Sequence, residues 1–437
     1  MKEKINLKTK LLFSFLLIII LAETTGVFAT TNTITRLEAM NLGVVWEKVY
    51  GGTARDWGSS VINTSDGGFA ILATTKSFGE GAQDFWLLKT DVNGNLQWNK
   101  TYGGTGDDNG FAVFQTADNG FAMLGHSNSV GNGLNDFWIV KTDSQGNHQW
   151  NNSYGGTENE IFRSAVSTLD GAFVLTGATW SYGSGDQDIW LLKVNSTGQA
   201  EWNRTLGGLG EQRGLSVVQT TDAGFAISGG TGIYKTNSTG HQEWNNVFGT
   251  AGHDFFNNII QTSDGGYLLS GGSDLHGAVG ENDLILAKLL GNGTVDWIKT
   301  YGGLLKDYSC CDKASTETSN GDFLFTGQTY SYGDGTNGDL WVLKTDSSGN
   351  ELWNKALGGS STDTGRAILL NDDGTFMLIG ETESKGNGLG DLWLIKANET
   401  TVATTTSSYS GFQIGEITLI SSIGIIITIL FRKKGKA

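Results

Sequence analysis

The sequence contains no proline and only two cysteines among its 437 residues. Average usage would give roughly 20 prolines in a chain of this length. The turns must therefore be built from glycine, asparagine and aspartate, and collagen-like or PxxP segments are excluded. Cys310 and Cys311 are adjacent, so they cannot form a long-range disulfide.

Signatures of catalysis are also absent. The five histidines show no metal-ligand spacing, and no nucleophile elbow, phosphate-binding loop or paired catalytic carboxylate motif is recognisable. We therefore assign no catalytic residue from the sequence.

Basic side chains are scarce and lie mostly at the ends. The chain has 29 lysines and arginines against 45 acidic residues, and residues 30–416 hold 21 basic and 43 acidic groups. This balance argues against a nucleic-acid partner, whose phosphates require lysine and arginine. It favours an exterior domain with cationic or metal-bridged partners.

The N-terminus has the pattern of a secretory signal peptide over residues 1–29. Four lysines precede a 12-residue apolar core, Leu11 to Ala22, which is too short to span a bilayer. Cleavage after Ala29 is expected, and an uncleaved anchor is the alternative.

The C-terminus predicts a membrane anchor. A Thr/Ser-rich stalk over residues 399–411 precedes a transmembrane helix over residues 412–431 and a basic cytoplasmic tail, 432–437. The positive-inside rule then puts everything before the helix outside the cell membrane. A buried core helix is the alternative for this segment.

Glycine and tryptophan are abundant, with 65 and 14 residues, and they reveal an internal repeat. The stretch "LLKTDVNGNLQWNKTYGG" (residues 87–104) returns with small changes along the chain. Its tryptophan marks seven copies of about 50 residues, at Trp46, Trp98, Trp150, Trp202, Trp244, Trp297 and Trp353.

Each copy predicts four short strands, rich in Val, Ile, Phe, Trp and Thr and bounded by Gly, Asn and Asp. Asn-Gly between two apolar runs is a strong hairpin signal. After a lead over residues 30–43, residues 44–398 therefore predict an all-β, seven-bladed β-propeller. The first strand, "VVWEKVYGG", should complete the last blade from the N-terminus, and each repeated tryptophan should pack between blades.

Strand order predicts that the longer loops share one face, turned away from the membrane. Two of them carry aromatic residues that have no evident core to fill, and these are the hypothetical ligand-binding residues: Trp180, Tyr182, Tyr330 and Tyr332. Local packing is the alternative. Blade four lacks its long loop, which leaves either a binding groove or a tolerated deletion.

An aspartate recurs just before each third strand, as Asp84, Asp136, Asp188, Asp283, Asp339 and Asp391. These residues could form a ring of calcium ligands, or they could accept hydrogen bonds from their own loops' amides. No cofactor is assigned firmly, and calcium applies only to the first interpretation.

Two further features depend on export. Cys310 and Cys311 should lie near the central channel, where they either form a vicinal disulfide or are an incidental pair. Glycosylation sequons occur at Asn63, Asn99, Asn151, Asn195, Asn203, Asn237, Asn292 and Asn398.

The repeat "D-x-W-x-x-K-T-D-x-x-G-N-x-x-W", followed by "Y-G-G" and "T-x-D-G-G-[FY]", resembles tandem propeller repeats of prokaryotic, especially archaeal, cell-surface proteins. That resemblance implies location more than activity. The fragment "LKTDSSGNELW" (residues 343–353) is also similar to a motif of pyrroloquinoline-quinone (PQQ)-dependent dehydrogenases. Those enzymes have a vicinal disulfide at the cofactor, which Cys310 and Cys311 would match.

Together these features predict a membrane-anchored extracellular propeller that binds glycans or proteins through its outward loops. The first alternative is an extracellular enzyme, either a quinone-dependent dehydrogenase or a polysaccharide-cleaving propeller. The second is a structural component of the cell envelope.

Overall fold

The structure is a computed structural model that describes residues 33–408, 415–420 and 426–431, except for residues 185, 277, 279, 280, 310, 312 and 334–336. Side chains are described between residues 41 and 401, with the same gaps. Residues 42–399 form one compact unit, and the flanking segments form another.

Every described regular element is a β-strand. In chain order these are β1 (Thr33–Tyr50), β2 (Asp56–Asn63), β3 (Phe69–Thr75), β4 (Asp84–Thr90), β5 (Leu96–Tyr102), β6 (Asp108–Gln115), β7 (Phe121–Ser127), β8 (Asp136–Thr142), β9 (His148–Tyr154), β10 (Glu160–Ser167), β11 (Phe173–Thr179), β12 (Asp188–Val194), β13 (Ala200–Leu206), β14 (Gly214–Gln219), β15 (Phe225–Gly229), β16 (Gly232–Thr236), β17 (Gln242–Val247), β18 (Asp254–Gln261), β19 (Tyr267–Ser273), β20 (Asp283–Leu289), β21 (Val295–Tyr301), β22 (Asp307–Tyr308), β23 (Ser315–Glu317), β24 (Phe323–Thr329), β25 (Asp339–Thr345), β26 (Glu351–Leu357), β27 (Asp363–Leu370), β28 (Phe376–Thr382), β29 (Asp391–Ser408), β30 (Gly415–Ile420) and β31 (Ile426–Phe431).

Within the described residues these strands form seven antiparallel blades, which confirms the predicted propeller. Blades 1 to 5 are β2–β5, β6–β9, β10–β13, β14–β17 and β18–β21. Blade 6 is β22–β26, with β22 and β23 both paired to β24 in the place of one first strand. We call the face where the first strands begin the upper face.

Blade 7 closes the ring as the sequence predicted. Its sheet order is β1, β29, β28, β27, so the N-terminal strand is its fourth strand. Pairing with β1 covers the edge of β29, which would otherwise present unpaired backbone groups.

The repeated tryptophan packs between blades. The ring of Trp98, on β5, lies 5.9 Å from that of Phe121, on β7 of the next blade. Gly146, in the hairpin turn of that next blade, has φ +74°, and a Cβ there would meet the Trp98 ring at 2.7 Å. The Tyr102 hydroxyl donates to the Gly146 carbonyl at 2.6 Å. One hairpin glycine therefore forms the turn and also leaves space for the tryptophan of the neighbouring blade.

The segments outside residues 42–399 include two paired strands, β30 and β31. The predicted signal peptide and the cytoplasmic tail lie outside the described residues, as do residues 412–414 and 421–425 of the predicted transmembrane segment. No helix among the described residues is long and apolar enough to cross a membrane. The strand β29 includes residues 399–408 of the predicted stalk. These boundaries remain predictions.

Candidate functional site

A β-bulge in the first strand of six blades aims one side chain into the centre of the ring. In each of these blades the pairing between the first and second strands shifts by one residue. The extra residue, at the same position of the repeat each time, has no partner in the ladder. Those residues are Ser59, Phe111, Arg163, Leu215, Asn257 and Arg366. Bulges of this kind redirect a side chain away from the regular alternation.

All six bulge residues line a central cavity of about 670 Å³. The remaining lining residues come from the upper ends of the first strands and from the mouth of the channel: Arg55, Trp57, Asn109, Glu211, Arg213, Gly230, Phe255 and Cys311. This volume lies within the range of small-molecule sites, about 300–1,000 Å³.

Arginine is concentrated in this cavity. Only five arginines occur between residues 42 and 399, and four of them line it: Arg55, Arg163, Arg213 and Arg366. The fifth, Arg204, lies on the outer strand β13 against Trp202. Nearly all the guanidinium groups of this acidic protein's propeller thus lie on one inner surface.

Two of these arginines share one buried carboxylate. Glu381, on β28, has only 5% of its side chain exposed. It accepts hydrogen bonds from Arg55 at 2.9 Å and from Arg366 at 3.2 Å. The hydrogen bond to Glu381 is the largest cause of the raised pKa of Arg55. One carboxylate therefore holds two guanidinium groups at this side of the channel.

The other two arginines belong to blades 3 and 4. Arg213 lies 3.5 Å from Glu211, and about half of each side chain is exposed. Behind the wall is His126, whose ring lies 5.3 Å from that of Phe111. Burial, and then the charge of Arg163, lowers the pKa of His126 to about 4. This histidine is therefore neutral at physiological pH and adds no charge to the channel.

The first strand of blade 6 carries a longer insertion. Residues 309–313 lie between Tyr308 and Ala314, where blade 1 has only residues 58 and 59. The backbone of Lys313 pairs with Ala367 of the neighbouring blade 7, and its Nζ lies 3.0 Å from Ser60 Oγ of blade 1. The same Nζ is 5.2 Å from the ring centre of Phe114 of blade 2. The side chain of Lys313 therefore links blade 6 to blades 1 and 2.

The short blade 4 opens the upper rim on one side. Only Gly230 and Thr231 connect β15 to β16, and Gly230 lines the cavity. The notch predicted from the sequence is thus part of the channel mouth, next to the blade that carries Arg213.

The four aromatic residues predicted to bind ligand are spread over the upper loops of blades 3 and 6. The Tyr182 hydroxyl donates to the Gly155 carbonyl at 2.8 Å, and its ring lies 5.5 Å from Trp190. Tyr332 repeats this arrangement, donating to Gly302 at 2.9 Å and stacking on Trp341 at 5.7 Å. Trp180 is 40% exposed and Tyr330 is half-buried. Their ligand-binding role remains a prediction.

The recurring aspartates before the third strands are all buried. They are Asp84, Asp136, Asp188, Asp283, Asp339 and Asp391. Asp136 shows the local contacts, since its Oδ2 accepts a hydrogen bond from the Asn132 amide at 2.8 Å. Burial, as the largest cause, raises the pKa of Asp84 and of Asp136. No group of three or more His, Cys, Asp or Glu side chains within the described part of the chain could hold a metal ion.

The remaining predicted sites are only partly described. Cys311 lines the cavity, whereas Cys310 lies outside the described residues, so the vicinal disulfide remains a prediction. None of the eight sequon asparagines is buried; three of them, Asn99, Asn151 and Asn203, are exposed residues on outer strands.

Sequence reasoning missed the four channel arginines because it followed residues that recur. The bulge position varies from blade to blade, so it gives no repeat signal. Two features of the sequence could have revealed it: the scarcity of arginine in the propeller, and the placement of four of its five arginines at or just before first strands.

No protein-family model matches the sequence, and no curated protein matches it. Solved structures do resemble the fold. The Pan2 WD40 domain of Neurospora crassa has a TM-score of 0.51 at 9% identity, covering 81% of this chain and 95% of that one.

Two further solved propellers resemble the chain more distantly. The propeller domain of the Trilobed protease from Pyrococcus furiosus has a TM-score of 0.45 at 11% identity, covering 78% of this chain and 94% of that one. A proposed gluconolactonase has a TM-score of 0.41 at 11% identity, with coverages of 87% and 97%. At these identities the likeness shows the β-propeller fold alone.

Proposed function

We propose that this chain is a membrane-anchored extracellular binding propeller that holds a small anionic ligand, such as an acidic sugar or another organic acid, in its central channel. The observation that carries the proposal is the convergence of Arg55, Arg163, Arg213 and Arg366 on one cavity. The exterior location rests on the predicted signal peptide and transmembrane helix.

The physical argument begins with charge. The whole chain has a net charge of −16, so its outer surface repels anions at long range. A cluster of guanidinium groups in a concave site reverses that sign locally, and guanidinium forms bidentate hydrogen bonds to carboxylate, sulfate or phosphate. The neighbouring Trp57 and Phe111 rings add apolar surface that a sugar ring or a carbon chain can contact.

The test is titration calorimetry of the purified full-length chain with galacturonate, glucose 6-phosphate and inorganic sulfate, with glucose as the uncharged control. We expect the anions to bind and glucose not to bind. Arg163→Gln should weaken anion binding at least about tenfold, since a hydrogen bond to a charged group contributes about 1.5–3 kcal/mol.

The matched control is Arg204→Gln, which removes the one arginine of the propeller that lies outside the cavity. It should leave anion affinity unchanged. The proposal is contradicted if no anion binds, or if both variants lower the affinity equally.

A second candidate is a quinone-dependent dehydrogenase, favoured by the position of Cys311 on the same cavity wall. The channel arginines suit the carboxylates of PQQ. The calcium site that such enzymes use would need a group of ligands that the described residues do not form. Saturable binding of PQQ together with reduction of an artificial electron acceptor would establish this candidate, whereas anion binding without PQQ binding would exclude it.

A further inference from the structure

We infer that the anion in the central channel is the terminal unit of a longer saccharide, whose neutral units lie in a groove over blade 4. This inference rests on the proposed function, because it specifies the ligand of the same site. The groove has Gly230 and Thr231 as its floor and residues 207–213 and 247–252 as its two walls. We call it the blade 4 groove.

Blade 4 lacks the long loop that the other blades have on the upper face. Only Gly230 and Thr231 connect β15 to β16. In the other six blades eight or nine residues join the second and third strands, such as residues 128–135 in blade 2. The upper face is therefore lower at blade 4 than at its neighbours.

The loop of blade 2 shows what such a loop normally covers. Ser129 Oγ accepts a hydrogen bond from the Gly106 amide at 2.9 Å, in the connection that enters the blade. The Leu134 amide donates to the Glu158 carbonyl at 3.3 Å, in the connection that leaves the blade. The loop thus fills the space between these two connections.

The corresponding space in blade 4 is open. A Cβ built at Gly104, before blade 2, would meet Ser129 Cβ of the loop at 2.8 Å. Gly208 is the corresponding residue before blade 4. Apart from its chain neighbours, no described residue has an atom within 4 Å of a Cβ built there. Leu209, beside it, is 95% exposed. No described segment therefore takes the place of the missing loop.

The blade 4 groove leads into the central cavity. Residues 207–213 run from the outer strand β13 to the first strand β14, and Glu211 and Arg213 at their inner end line the cavity. Gly230 lines the cavity as well. A ligand whose anionic end lies beside Arg213 can therefore continue outward over Gly230.

The outer part of the groove is uncharged. Residues 207–210, 230–231 and 247–252 contain no acidic or basic side chain, whereas four arginines line the cavity. The whole chain has a net charge of −16, so a ligand with a negative charge on every unit would be repelled outside the cavity. The distribution of charge fits a ligand with an anionic end and a neutral continuation.

The floor of the groove suits a saccharide better than a peptide. Peptides often bind by adding a strand to the edge of a sheet, but β15 and β16 are both inner strands of blade 4. The Gly230 carbonyl already accepts from the Phe256 amide at 3.0 Å, and the Thr231 carbonyl accepts from the Gly249 amide at 2.9 Å. Neutral sugar units need only scattered hydrogen bonds and apolar contacts, which this surface can provide.

The test is titration calorimetry of the purified full-length chain with three probes that carry one uronate at one end. They are glucuronate, aldobiouronate and aldotetraouronate, in which none, one and three neutral xylose units follow. We expect affinity to rise at least about tenfold from glucuronate to aldotetraouronate, because the added units make hydrogen bonds and apolar contacts in the groove. A tetrapeptide with a free C-terminal carboxylate should bind no more tightly than acetate.

Two variants close the groove. The first inserts a copy of residues 128–135 between Gly230 and Thr231, which supplies the missing loop. The second is Gly208→Leu, whose side chain would project into the open space and whose φ lies outside the left-handed region. Each should reduce the gain from the neutral units to about twofold or less, while the affinity for glucuronate changes little.

The matched control inserts the same eight residues between Ser238 and Thr239, two exposed residues in the lower turn of blade 4. It should keep the full gain. Thermal unfolding of each variant checks that the fold is kept, and Gly208→Leu decides the matter if the insertion beside Gly230 does not fold.

Three outcomes overturn the inference while leaving the proposed function intact. They are equal affinity for the three uronates in the unmodified protein, an undiminished gain in every folded groove variant, and a gain from the tetrapeptide but none from the neutral sugars. The last would assign the groove to the end of a polypeptide. Absence of binding by glucuronate, galacturonate and the other anions would overturn the inference and the proposed function together.

Discussion

At the scale of single residues, the repeated lysine and the repeated turn aspartate hold each blade together. Lys141 is buried on β8, and its Nζ lies 2.9 Å from Asp118 in the turn between β6 and β7. The same pair occurs in all seven blades: Lys89–Asp66, Lys141–Asp118, Lys193–Asp170, Lys235–Asp222, Lys288–Asp264, Lys344–Asp322 and Lys396–Asp373. The "K-T-D" and "D-G-G" elements of the repeat are thus two halves of one contact.

These pairs predict how stability depends on pH. A hydrogen bond from the Thr116 hydroxyl, and then from Lys141, lowers the pKa of Asp118 to about 2. A carboxyl whose pKa is lower in the folded state stabilises the protein above its unfolded pKa of about 3.9. That contribution is lost as the pH falls through about 4 towards 2.

Asp118→Asn should therefore lower the free energy of unfolding at pH 6 by up to about 1 kcal/mol, a small value because Asp118 is half-exposed. The difference from the unmodified protein should shrink towards pH 2. Urea unfolding at several pH values measures it, with Asp186→Asn, on an exposed loop, as the control. A difference that stays constant with pH would contradict the assignment.

At the scale of elements, the bulge sets one channel-facing side chain apart from the core-facing side chains of the same first strand. Regular alternation directs residues such as Val61 of β2 into the core between blades, whereas the bulge turns Ser59 towards the channel. The side chain at the bulge makes no core contact that recurs in every blade, although Phe111 packs against the buried ring of Phe162. It can therefore differ in each blade without loss of the fold.

Deleting Ser59 should show this at the level of one strand. Without Ser59, Gly58 and Ser60 become consecutive and keep their partners Ala73 and Leu72 on β3, so the ladder becomes regular and β2 loses its local bend. We expect the thermal unfolding temperature to fall, because the shortened and straightened strand strains the connections at its two ends while every other side chain keeps its face.

Ser59→Ala keeps the bulge and should unfold within a few degrees of the unmodified protein, since it changes only one half-exposed hydroxyl. If the deletion were tolerated as well as Ser59→Ala, the bend that the bulge introduces into β2 would not contribute to stability.

At the scale of the whole molecule, the ring depends on β1. This strand is the fourth strand of blade 7, so a contact between the two ends of the propeller completes the closed structure. The closure also brings blades 7 and 1 together, and with them Arg366, Arg55 and the carboxylate of Glu381.

A chain that begins at Gly51 lacks β1, and we expect effects beyond the loss of that strand. It leaves the edge of β29 unpaired, which favours association with other chains. We expect a lower urea midpoint and oligomers in size-exclusion chromatography. A chain that begins at Asn41 retains residues 44–50 and should stay monomeric to the same extent as the full chain; equal behaviour of the two truncations would contradict the role of β1.

The sequence by itself determined the blades. Hairpin turns and short strands involve residues that are close along the chain, so each repeat shows them locally. The terminal strands could be assigned to one blade because the repeat order leaves a fourth strand at one end and a third strand at the other. The tryptophan marks likewise predicted the packing between blades, since a large ring recurring at one position needs a recurring partner.

Only the tertiary structure decided where a ligand could bind. Arg55 and Arg366 are separated by about 300 residues, and they meet because the ring closes. Arg163 and Arg366 face the channel because a bulge, which leaves no mark in the hydrophobic pattern, redirects them. The residues at repeated positions make the contacts that every blade needs. The channel instead depends on positions at which the blades differ, and their combination exists only in the folded ring.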